Sequence, residues 1–277
     1  MHNKAKQFQQ AHLSGETFIM ANAWNPGSAV LLAEAGFTAI GTTSAGIAFS
    51  HAVPDYEGAL SFDAALDETQ RIAAAVDVPV SMDAENGYGD SPEAVFANMK
   101  RIAATGVVGA NIEDYTGDMA KPLYDIAEGA ERIRAAKEAV ADLDYPFMLT
   151  ARAECYLTGH ADPFKESVER VNRYREAGAD CLFVPGIKDL ATIRELVQEV
   201  DGPVNVVMGL SGTPLTLAEL QEAGVARISI GGSLARATFG LVRRAAQEML
   251  EHGTFSYASQ QIPDDELCRL FAKPVPD

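Results

Sequence analysis

The sequence predicts an α/β fold of the (β/α)8 TIM-barrel type, a closed ring of eight parallel strands surrounded by helices. Eight short apolar segments alternate with helical segments along nearly the whole of the 277-residue chain. A glycine precedes every even-numbered strand, and a proline marks the start of three odd-numbered ones. No glycine-rich dinucleotide-binding fingerprint accompanies the strands, so an open, doubly wound sheet fits less well. We therefore expect one barrel domain over residues 1–277, with a helical tail over about 253–277.

Each predicted strand is a short apolar run bounded by turn residues. The strands are predicted over residues 17–23, 37–43, 78–82, 107–112, 145–151, 179–184, 203–208 and 225–230. A glycine just before a strand is typical of a helix that ends in a left-handed C-cap, and a proline suits the beginning of a strand. These punctuating residues are Gly36, Gly106, Gly178, Gly224, Pro79, Pro146 and Pro203. Their regular alternation favours a repeated unit around a closed sheet.

The helices are predicted from apolar residues at helical spacing and from capping residues. Ser91-Pro92 indicates a helix start, and Thr216 with Glu219 forms a capping box. The predicted helices cover residues 26–35, 61–76, 91–103, 127–141, 162–178, 190–200, 216–224 and Ser233–His252, followed by a short segment at Asp264–Phe271. Two long connections follow strands two and four, over residues 45–58 and 115–126. Connections of this length in a compact barrel are typical of lids or binding loops.

Composition and charge argue against several classes of function. A hydrophobic content of 47% with 22% charged residues is ordinary for a globular protein. The net charge of −17 argues against nucleic acids or anionic membranes as partners. The three cysteines are far apart and form no CxxC pair, so neither a disulfide framework nor a zinc site is expected. Since the chain begins without a signal peptide and has no apolar run long enough to cross a bilayer, a cytoplasmic location is expected.

Charged residues follow three neighbouring predicted strands. Asp83 and Glu85 follow strand three, Glu113 follows strand four, and Arg152 ends strand five. The carboxyl ends of barrel strands carry the active site, so we expect these side chains to converge there. Carboxylate oxygens suit Mg²⁺, with Mn²⁺ as a substitute, and an arginine fork suits a substrate carboxylate or phosphonate. The alternative is a salt-bridge cluster that only neutralises buried charge.

Further candidates lie at or near the ends of other strands. Trp24 after strand one and Asn205 in strand seven are expected to contact the substrate. Lys188, after strand six, would serve a rival mechanism, that of a metal-free Schiff-base aldolase. A lysine just before a helix is more often a solvated residue. His160, on the loop after strand five, is a weaker candidate for a side chain that faces the active site. His12 is expected at the surface.

Several segments, in this order, resemble the isocitrate lyase/phosphoenolpyruvate mutase superfamily. They are Thr43-Ser44-Ala45-Gly46, Asp83-Ala84-Glu85-Asn86-Gly87-Tyr88-Gly89, Asn111-Ile112-Glu113-Asp114, Arg152 and Gly224-Val225-Ala226-Arg227-Ile228-Ser229. The resemblance extends from about residue 18 to about residue 244, and the motifs after strands three and four are fairly specific. It implies a Mg²⁺-dependent enzyme that acts on an α-oxo acid through a species resembling the enolate of pyruvate. It also implies a homotetramer in which the last barrel helix is swapped between subunits.

The resemblance assigns roles to the acidic residues. Asp83, Glu85 and Glu113 would form the Mg²⁺ site, some of them acting through water. Glu113 would also take part in catalysis. Glu85 replaces the more common aspartate of the superfamily, which lengthens one arm of the metal site.

The same resemblance implies a set of substrate contacts. Ser44 and the backbone of Ala45 and Gly46 would cradle the substrate carboxylate. Arg152 would clamp the same substrate during catalysis. Asp55 falls near the catalytic aspartate on the mobile loop of the mutase branch.

The loop after strand four departs from both branches of the superfamily. The lyase branch has a Lys-Lys/Arg-Cys-Gly-His motif in this loop, and its cysteine handles a proton. The mutase branch has Lys-x-Asn there to hold the transferring group. Residues 115–124 contain no cysteine, and Lys121 is followed by Pro122-Leu123. The chemistry that remains shared is Mg²⁺, an α-oxo carboxylate and stabilisation of an enolate.

Together these features predict a Mg²⁺-dependent lyase that cleaves a C–C bond of a small α-oxo acid, most simply as an oxaloacetate decarboxylase does. P–C cleavage of the phosphonopyruvate hydrolase or phosphonomutase kind is the first alternative. The others are the Schiff-base aldolase and a binding protein without catalytic activity. The expected partners are the α-oxo acid and further copies of the chain, in a dimer or tetramer.

Overall fold

Eight parallel strands form a closed barrel in which each strand pairs with the next along the chain and β8 pairs with β1. The computed structural model describes residues 1–55, 58–210 and 215–272. The strands are β1 (Phe18–Ala23), β2 (Ile40–Thr42), β3 (Val80–Asp83), β4 (Gly109–Glu113), β5 (Met148–Arg152), β6 (Cys181–Phe183), β7 (Val204–Val207) and β8 (Arg227–Ser229). The predicted (β/α)8 fold class is confirmed. The division into a barrel and a tail stays a prediction, and residues 273–277 lie outside the described part.

The helices surround this barrel, and the glycines predicted to close four of them have φ angles between 83° and 112°. A 3₁₀ helix, Ser256–Gln260, lies between the last two α-helices. The α-helices are α1 (His2–Leu13), α2 (Pro26–Glu34), α3 (Ser44–Ser50), α4 (Phe62–Ala74), α5 (Pro92–Ala104), α6 (Ile126–Ala139), α7 (Pro163–Glu176), α8 (Leu190–Glu199), α9 (Leu217–Glu222), α10 (Ser233–His252) and α11 (Asp264–Phe271). Within the described ranges, none of them is long and apolar enough to cross a membrane.

The helix α1, which the sequence patterns did not predict, covers the N-terminal end of the barrel. Its Phe8 is fully buried and packs in a small cluster with Met20 of β1, Val108 before β4 and Met148 of β5. These positions lie at or near the starts of their strands. The helix therefore closes the end of the barrel opposite to the end where catalytic residues are expected.

His12 is buried at the C-terminal end of α1, with 4% of its surface exposed, so its predicted surface position is wrong. Its Nδ1 lies 2.8 Å from the carbonyl oxygen of Phe8, and its Nε2 lies 3.0 Å from Nη1 of Arg227. The carbonyl can only accept and the guanidinium can only donate. Nδ1 therefore carries the proton and Nε2 accepts, which requires the neutral ring.

Burial, and next the charge of Arg227, lower the pKa of His12 from 6.5 to about 3. In the unfolded chain this histidine binds a proton below pH 6.5, whereas in the folded protein it stays neutral down to about pH 3. We expect the free energy of unfolding to decrease as the pH falls from 6.5 to about 3, by up to about 1.4 kcal/mol per pH unit from this one group. The stability that depends on neutral His12 is complete above pH 6.5 and is lost as the pH falls.

Replacing His12 with glutamine tests this expectation, because glutamine can accept from Arg227 but does not titrate. Urea unfolding curves measured between pH 7 and pH 4 should show a shallower loss of stability in H12Q than in the wild type. The difference should correspond to about one proton. Parallel stability curves would show that His12 does not contribute.

The connection after β2 begins as the helix α3, so the prediction of a loop over all of residues 45–58 is wrong. Thr43 is the N-cap, and its side chain accepts a hydrogen bond from the backbone N–H of Gly46 at 3.3 Å. The helix has only seven residues and contains a glycine, so its sequence gives little helical periodicity. Residues 56–57 of this connection lie outside the described residues.

The long helix α10 contacts the rest of the described chain along very little of its surface. Only Ala235 and Ala245 of its 20 residues are buried. Its large apolar side chains are largely exposed, at Leu234, Phe239, Leu241, Val242, Met249 and Leu250. A helix with an apolar stripe normally buries that stripe against a neighbouring element. The described part of the chain does not provide that element.

Candidate active site

A cavity of about 440 Å³ opens among the C-terminal ends of the barrel strands. Its lining includes most of the residues predicted from the sequence: Ser44, Ala45, Asp55, Asp83, Glu85, Glu113, Arg152 and Asn205. Residues that the sequence prediction left without a role, among them Asn111, Tyr115 and Arg227, also line it. Parallel strands in register place their ends at one level, and β4 pairs Glu113 directly with Arg152 of β5. The fold therefore brings the predicted charges together.

Asp83, the last residue of β3, is held by three hydrogen bonds. Its Oδ2 accepts from both the backbone N–H and the hydroxyl of Ser44, each at 3.0 Å. Its Oδ1 accepts from the amide of Asn111 at 2.9 Å. The carboxylate is thus fixed in orientation, as a metal ligand or an anchor for a charged substrate must be. Both of these Ser44 donors point at Asp83, so any role of Ser44 toward substrate begins with positioning this carboxylate.

Arg152 lies among carboxylates at the end of β5. Its Nη1 is 3.0 Å from Oε2 of Glu113 and 4.0 Å from Oδ1 of Asp83, and its Nε donates to Glu154. The guanidinium also lies over the ring of Phe183, at 5.3 Å from the centroid. Burial alone would lower the pKa of Arg152, but the charges of Glu113, Glu154 and Asp83 raise it above its ordinary value. The arginine is charged and oriented before any substrate arrives.

Glu154 is a residue of this site that sequence reasoning missed. It is buried and pairs with Arg152. Its backbone N–H donates to Oδ1 of Asp114 at 2.9 Å, while Oδ2 of Asp114 accepts from Tyr174 at 2.7 Å and from Arg170 at 3.0 Å. Burial raises the pKa of Asp114. A signal was present, because alternate residues of an extended chain face the same side and Glu154 follows Arg152 by two positions.

Glu85 lies on a strained loop behind β3. Its φ is 46° and that of Tyr88 is 53°, both in the left-handed region that ordinary residues avoid. The Tyr88 hydroxyl donates to the Glu85 carboxylate at 2.9 Å. Asn98 of α5 donates to the carbonyls of Gly87 and Tyr88, at 3.1 and 2.7 Å. Strain of this kind persists only where surrounding contacts hold the backbone, and it is concentrated at functional sites.

Arg132 of α6, one of the helices that surround the barrel, supports the same loop. Its side chain is 1% exposed, its Nη1 donates to the Asp90 carbonyl at 2.8 Å and its Nη2 donates to that of Asn86 at 2.5 Å. Its guanidinium also lies over the ring of Tyr124, 4.0 Å from the centroid. Burial lowers the pKa of Arg132 below its ordinary value. Two helices thus fix the loop that carries Glu85.

The donors around the cavity fit a hard cation such as Mg²⁺. Asp55, Asp83, Glu85 and Glu113 all line it, and burial, followed by the charge of Asp83, raises the pKa of Asp55. This crowding of carboxylates is the situation that a divalent cation relieves. No three acidic, histidine or cysteine side chains of the described residues already form a metal cluster. Mg²⁺ does not require one, because it is commonly bound by one or two carboxylates together with water and substrate.

The family model for phosphoenolpyruvate phosphomutase matches residues 8–250 of the chain. The chain belongs to this family. The resemblance deduced from the motifs after strands three and four is therefore confirmed.

Solved structures of related proteins share the barrel closely. A crystal structure of a Burkholderia cenocepacia protein described as a lyase/mutase has a TM-score of 0.95 and 45% identity, covering 99% of this chain and 97% of that chain. Phosphonopyruvate hydrolase, crystallised with oxalate and Mg²⁺, has a TM-score of 0.87 and 28% identity, covering 98% and 95%.

Curated relatives include enzymes that break C–C bonds. The 2-methylisocitrate lyase of Escherichia coli is 31% identical over 82% of this chain and 77% of its own length. The oxaloacetate decarboxylase of Pseudomonas fluorescens is 26% identical over 96% of this chain and 91% of its own length. The predicted reaction class agrees with the activities that these relatives of the phosphoenolpyruvate phosphomutase family are named for.

Two residues predicted to contact substrate in this family member are not among the described residues that line the cavity, namely Trp24 and Gly46. Trp24 is partly buried and packs against the barrel core. A Cβ on Gly46 would lie 2.8 Å from Cβ of Trp24 and 2.6 Å from Cγ2 of Thr43. Gly46 therefore permits close packing of α3 on the end of β1, and its importance lies in that contact.

Four other side chains with reactive groups, which lie on the connections that follow the strands, do not line the cavity. Lys188 and His160 are exposed, and Lys121 pairs with Asp125 at 3.2 Å. Cys155 is buried, and burial raises the pKa of its thiol to about 11. In the described part of the chain, the lining contains no lysine, histidine or cysteine. The expectation that His160 faces the site is wrong.

Proposed function

We propose that this member of the phosphoenolpyruvate phosphomutase family is a Mg²⁺-dependent lyase that releases pyruvate, or a close homologue, from a small α-oxo acid. The observation that carries the proposal is the group formed by Asp83, Glu113 and Arg152 at the cavity mouth, with Asp83 fixed by Ser44. Bound Mg²⁺ would be held by Asp83, Glu85 and Glu113, in part through water, and would draw charge from the α-oxo group. The presence of Mg²⁺ in the crystal structure of phosphonopyruvate hydrolase supports this choice.

The side chains of the cavity suit the cleavage step itself. Arg152 would bind the substrate carboxylate or the oxygen on which charge develops, and its three carboxylate partners hold it in one orientation. Glu113 and Asp55 would orient the substrate and exchange protons with it. A cavity that excludes bulk water strengthens each of these interactions.

Decarboxylation of oxaloacetate fits the lining best among the C–C cleavages. In that reaction the C–C bond breaks, carbon dioxide leaves, and the electron pair stays on the enolate of pyruvate, which then takes a proton from water. No thiol acid is needed, and the described lining offers none. The relationship to oxaloacetate decarboxylases supports this order of preference. P–C cleavage of phosphonopyruvate is the second candidate, favoured by the likeness to phosphonopyruvate hydrolase.

The decisive experiment measures pyruvate release by a coupled dehydrogenase from oxaloacetate, phosphonopyruvate and 2-methylisocitrate. Each substrate is tested with Mg²⁺ and with EDTA, because oxaloacetate also decarboxylates slowly without enzyme and with free metal. We expect enzyme-dependent release from oxaloacetate that disappears with EDTA and returns with added Mg²⁺. Turnover that survives EDTA and is trapped by borohydride would instead identify a Schiff-base aldolase. Mg²⁺ binding without turnover of any α-oxo acid would favour the binding protein.

We further propose that α10 packs against another copy of the chain in a homo-oligomer, a dimer or tetramer, as the family resemblance implies. The helix buries only two alanines within its own subunit and exposes a stripe of large apolar side chains. Contiguous apolar surface of this kind is typical of subunit interfaces.

We also propose a cytoplasmic location. The free thiols of the described cysteines are in keeping with it.

Charges introduced on the stripe should dissociate the oligomer. Val242 is 60% exposed and Leu250 is 87% exposed, so V242E with L250E should leave the isolated subunit folded. We expect the mass by light scattering to fall from that of an oligomer to that of one subunit. Gln247→Glu, an exposed polar position on the same helix, is the matched control and should leave the mass unchanged. A monomeric wild type, or an oligomer that withstands both charges, would contradict the proposal.

A further inference from the structure

A buried positive charge at the floor of the cavity has no part in the chemistry proposed above. Arg227 of β8 is 2% exposed, yet its side chain lines the cavity. Its Nη2 donates to Oγ1 of Thr150, which precedes Arg152 by two residues in β5. Two residues of a strand span roughly 7 Å. Arg227 therefore lies about one layer of side chains deeper in the barrel than Arg152.

Every partner of this guanidinium is neutral. Nε donates to Oδ1 of Asn205 at 2.8 Å, Nη2 to Thr150 at 3.0 Å, and Nη1 to Nε2 of His12 at 3.0 Å. A guanidinium carries five N–H groups, two on each terminal nitrogen. One N–H on each terminal nitrogen is thus left without an acceptor among the described residues.

The charge of Arg227 is not balanced locally. Of the described residues, none forms an ion pair with it, and burial lowers the pKa of its guanidinium below the ordinary value. Arg152, one layer above, is in contrast surrounded by carboxylates. A buried charge without a counter-charge is costly, and proteins normally pair it. A counter-charge supplied from solution would remove that cost.

The cavity has room for such an ion. Its volume of about 440 Å³ lies in the range of pockets that bind drug-sized molecules, so a small α-oxo acid would not fill it. Small residues, Gly41 and Ser81, line it between the mouth and the floor. A Cβ on Gly41 would lie 2.8 Å from Nδ2 of Asn22, so this position cannot take a side chain without displacing its neighbours. The floor remains open toward the mouth.

We propose that the floor of the cavity is an anion subsite in which Arg227 binds a small monoanion, a carboxylate or a halide, through the two N–H groups that its protein partners leave. A forked guanidinium matches a carboxylate in particular. Asn205 and Ser229 complete the polar floor, joined by a hydrogen bond of 3.0 Å. The occupant is either a free small anion or a second carboxylate of the substrate, which present the same chemistry. The subsite does not depend on the proposed function.

Line broadening of chloride in NMR tests the subsite directly, since the chloride signal broadens when the ion exchanges with a protein site. In the full-length protein we expect broadening that sodium formate displaces saturably. Arg227→Met should weaken formate binding roughly 10- to 100-fold. The matched control is Arg236→Met, since Arg236 also lines the cavity but is exposed, so water screens its charge. This control should retain the displaceable signal.

Because Arg227 is buried, Arg227→Met could fail to fold, and Arg227→Lys provides a second variant that keeps the charge and loses the fork. It should also bind formate more weakly than the wild type. Absence of formate-displaceable broadening in the wild type would overturn the proposal, as would wild-type affinity in either folded Arg227 variant.

A kinetic test distinguishes the two occupants. If the enzyme is active and formate raises KM for oxaloacetate, the subsite binds a carboxylate of the substrate. If formate leaves KM unchanged, the subsite binds a free anion and not a carboxylate of the substrate. An enzyme inactive on every α-oxo acid would leave the broadening readout intact.

Discussion

Replacing Arg152 with alanine is expected to lower kcat/KM for oxaloacetate by about 10³-fold or more. The variant loses the only cation that lies between Glu113, Glu154 and Asp83 among the described residues. Those carboxylates would then repel one another and the anionic substrate. The loss should fall on kcat as well as KM, because the arginine also faces charge that develops as the bond breaks. Steady-state kinetics at saturating Mg²⁺ measures both constants.

A second effect of R152A is structural, since leaving buried carboxylates without a counter-charge destabilises a fold by about 3–5 kcal/mol. Urea unfolding should therefore accompany the kinetics, and circular dichroism should confirm that the variant is folded at the assay temperature. Arg173→Ala is the matched control, because Arg173 pairs with Glu176 on the exposed surface of α7. Exposed pairs contribute little, so this control should be close to wild type in both measurements. Near-normal turnover by folded R152A would contradict the assignment of Arg152 and its neighbouring carboxylates as the active site.

Replacing Asp83 with asparagine is expected to weaken Mg²⁺ binding at least tenfold and to lower kcat/KM by about 10²-fold or more. The substitution keeps the shape and removes the charge. It also places an amide where both carboxylate oxygens accept hydrogen bonds, from Ser44 on one side and from Asn111 on the other. Whichever way the amide turns, one N–H faces a donor. Titration calorimetry with Mg²⁺ measures the affinity independently of turnover.

Asp63→Asn is the control for D83N, because Asp63 is an exposed acid that pairs with Arg101 on the outside of the barrel. It removes the same charge from the chain and should leave Mg²⁺ affinity unchanged. If D83N binds Mg²⁺ like the wild type, the metal is held elsewhere, and the role of Asp83 is limited to orienting Ser44. Added Mg²⁺ should partly restore the activity of D83N, since its defect lies mainly in binding.

The barrel could be predicted from the sequence because its evidence is distributed over many residues. Each strand contributes a short apolar run, and each helix adds its own period and caps, so an error at one boundary does not affect the architecture. The helix α1 could not be found in this way, since only a few of its residues are apolar and it is stabilised by Phe8 packing on the barrel end. Tertiary contact, rather than local pattern, determines that element.

The candidate site was predictable where the residue type and the strand end coincide, as for Asp83, Glu113 and Arg152. A strand end gives the position of a residue but not the direction of its side chain, which is why Trp24, predicted to contact the substrate, is not among the described residues that line the cavity. Arg227 was missed as a feature of the cavity for a related reason. Its strand reads as apolar overall, and only the two-residue period shared with Ser229 indicates that both face the barrel interior.

Four of the hydrogen bonds that hold the loop carrying Glu85 come from Arg132 and Asn98 and end on main-chain carbonyls. Every amino acid provides such a carbonyl, so the shape of this loop depends on its helical supports more than on its own side chains. Side chains on it can therefore be exchanged during evolution or design while the curve of the backbone is retained. Aspartate at position 85, for example, would shorten one ligand arm without a new scaffold. The ligand set can thus change faster than the fold that presents it.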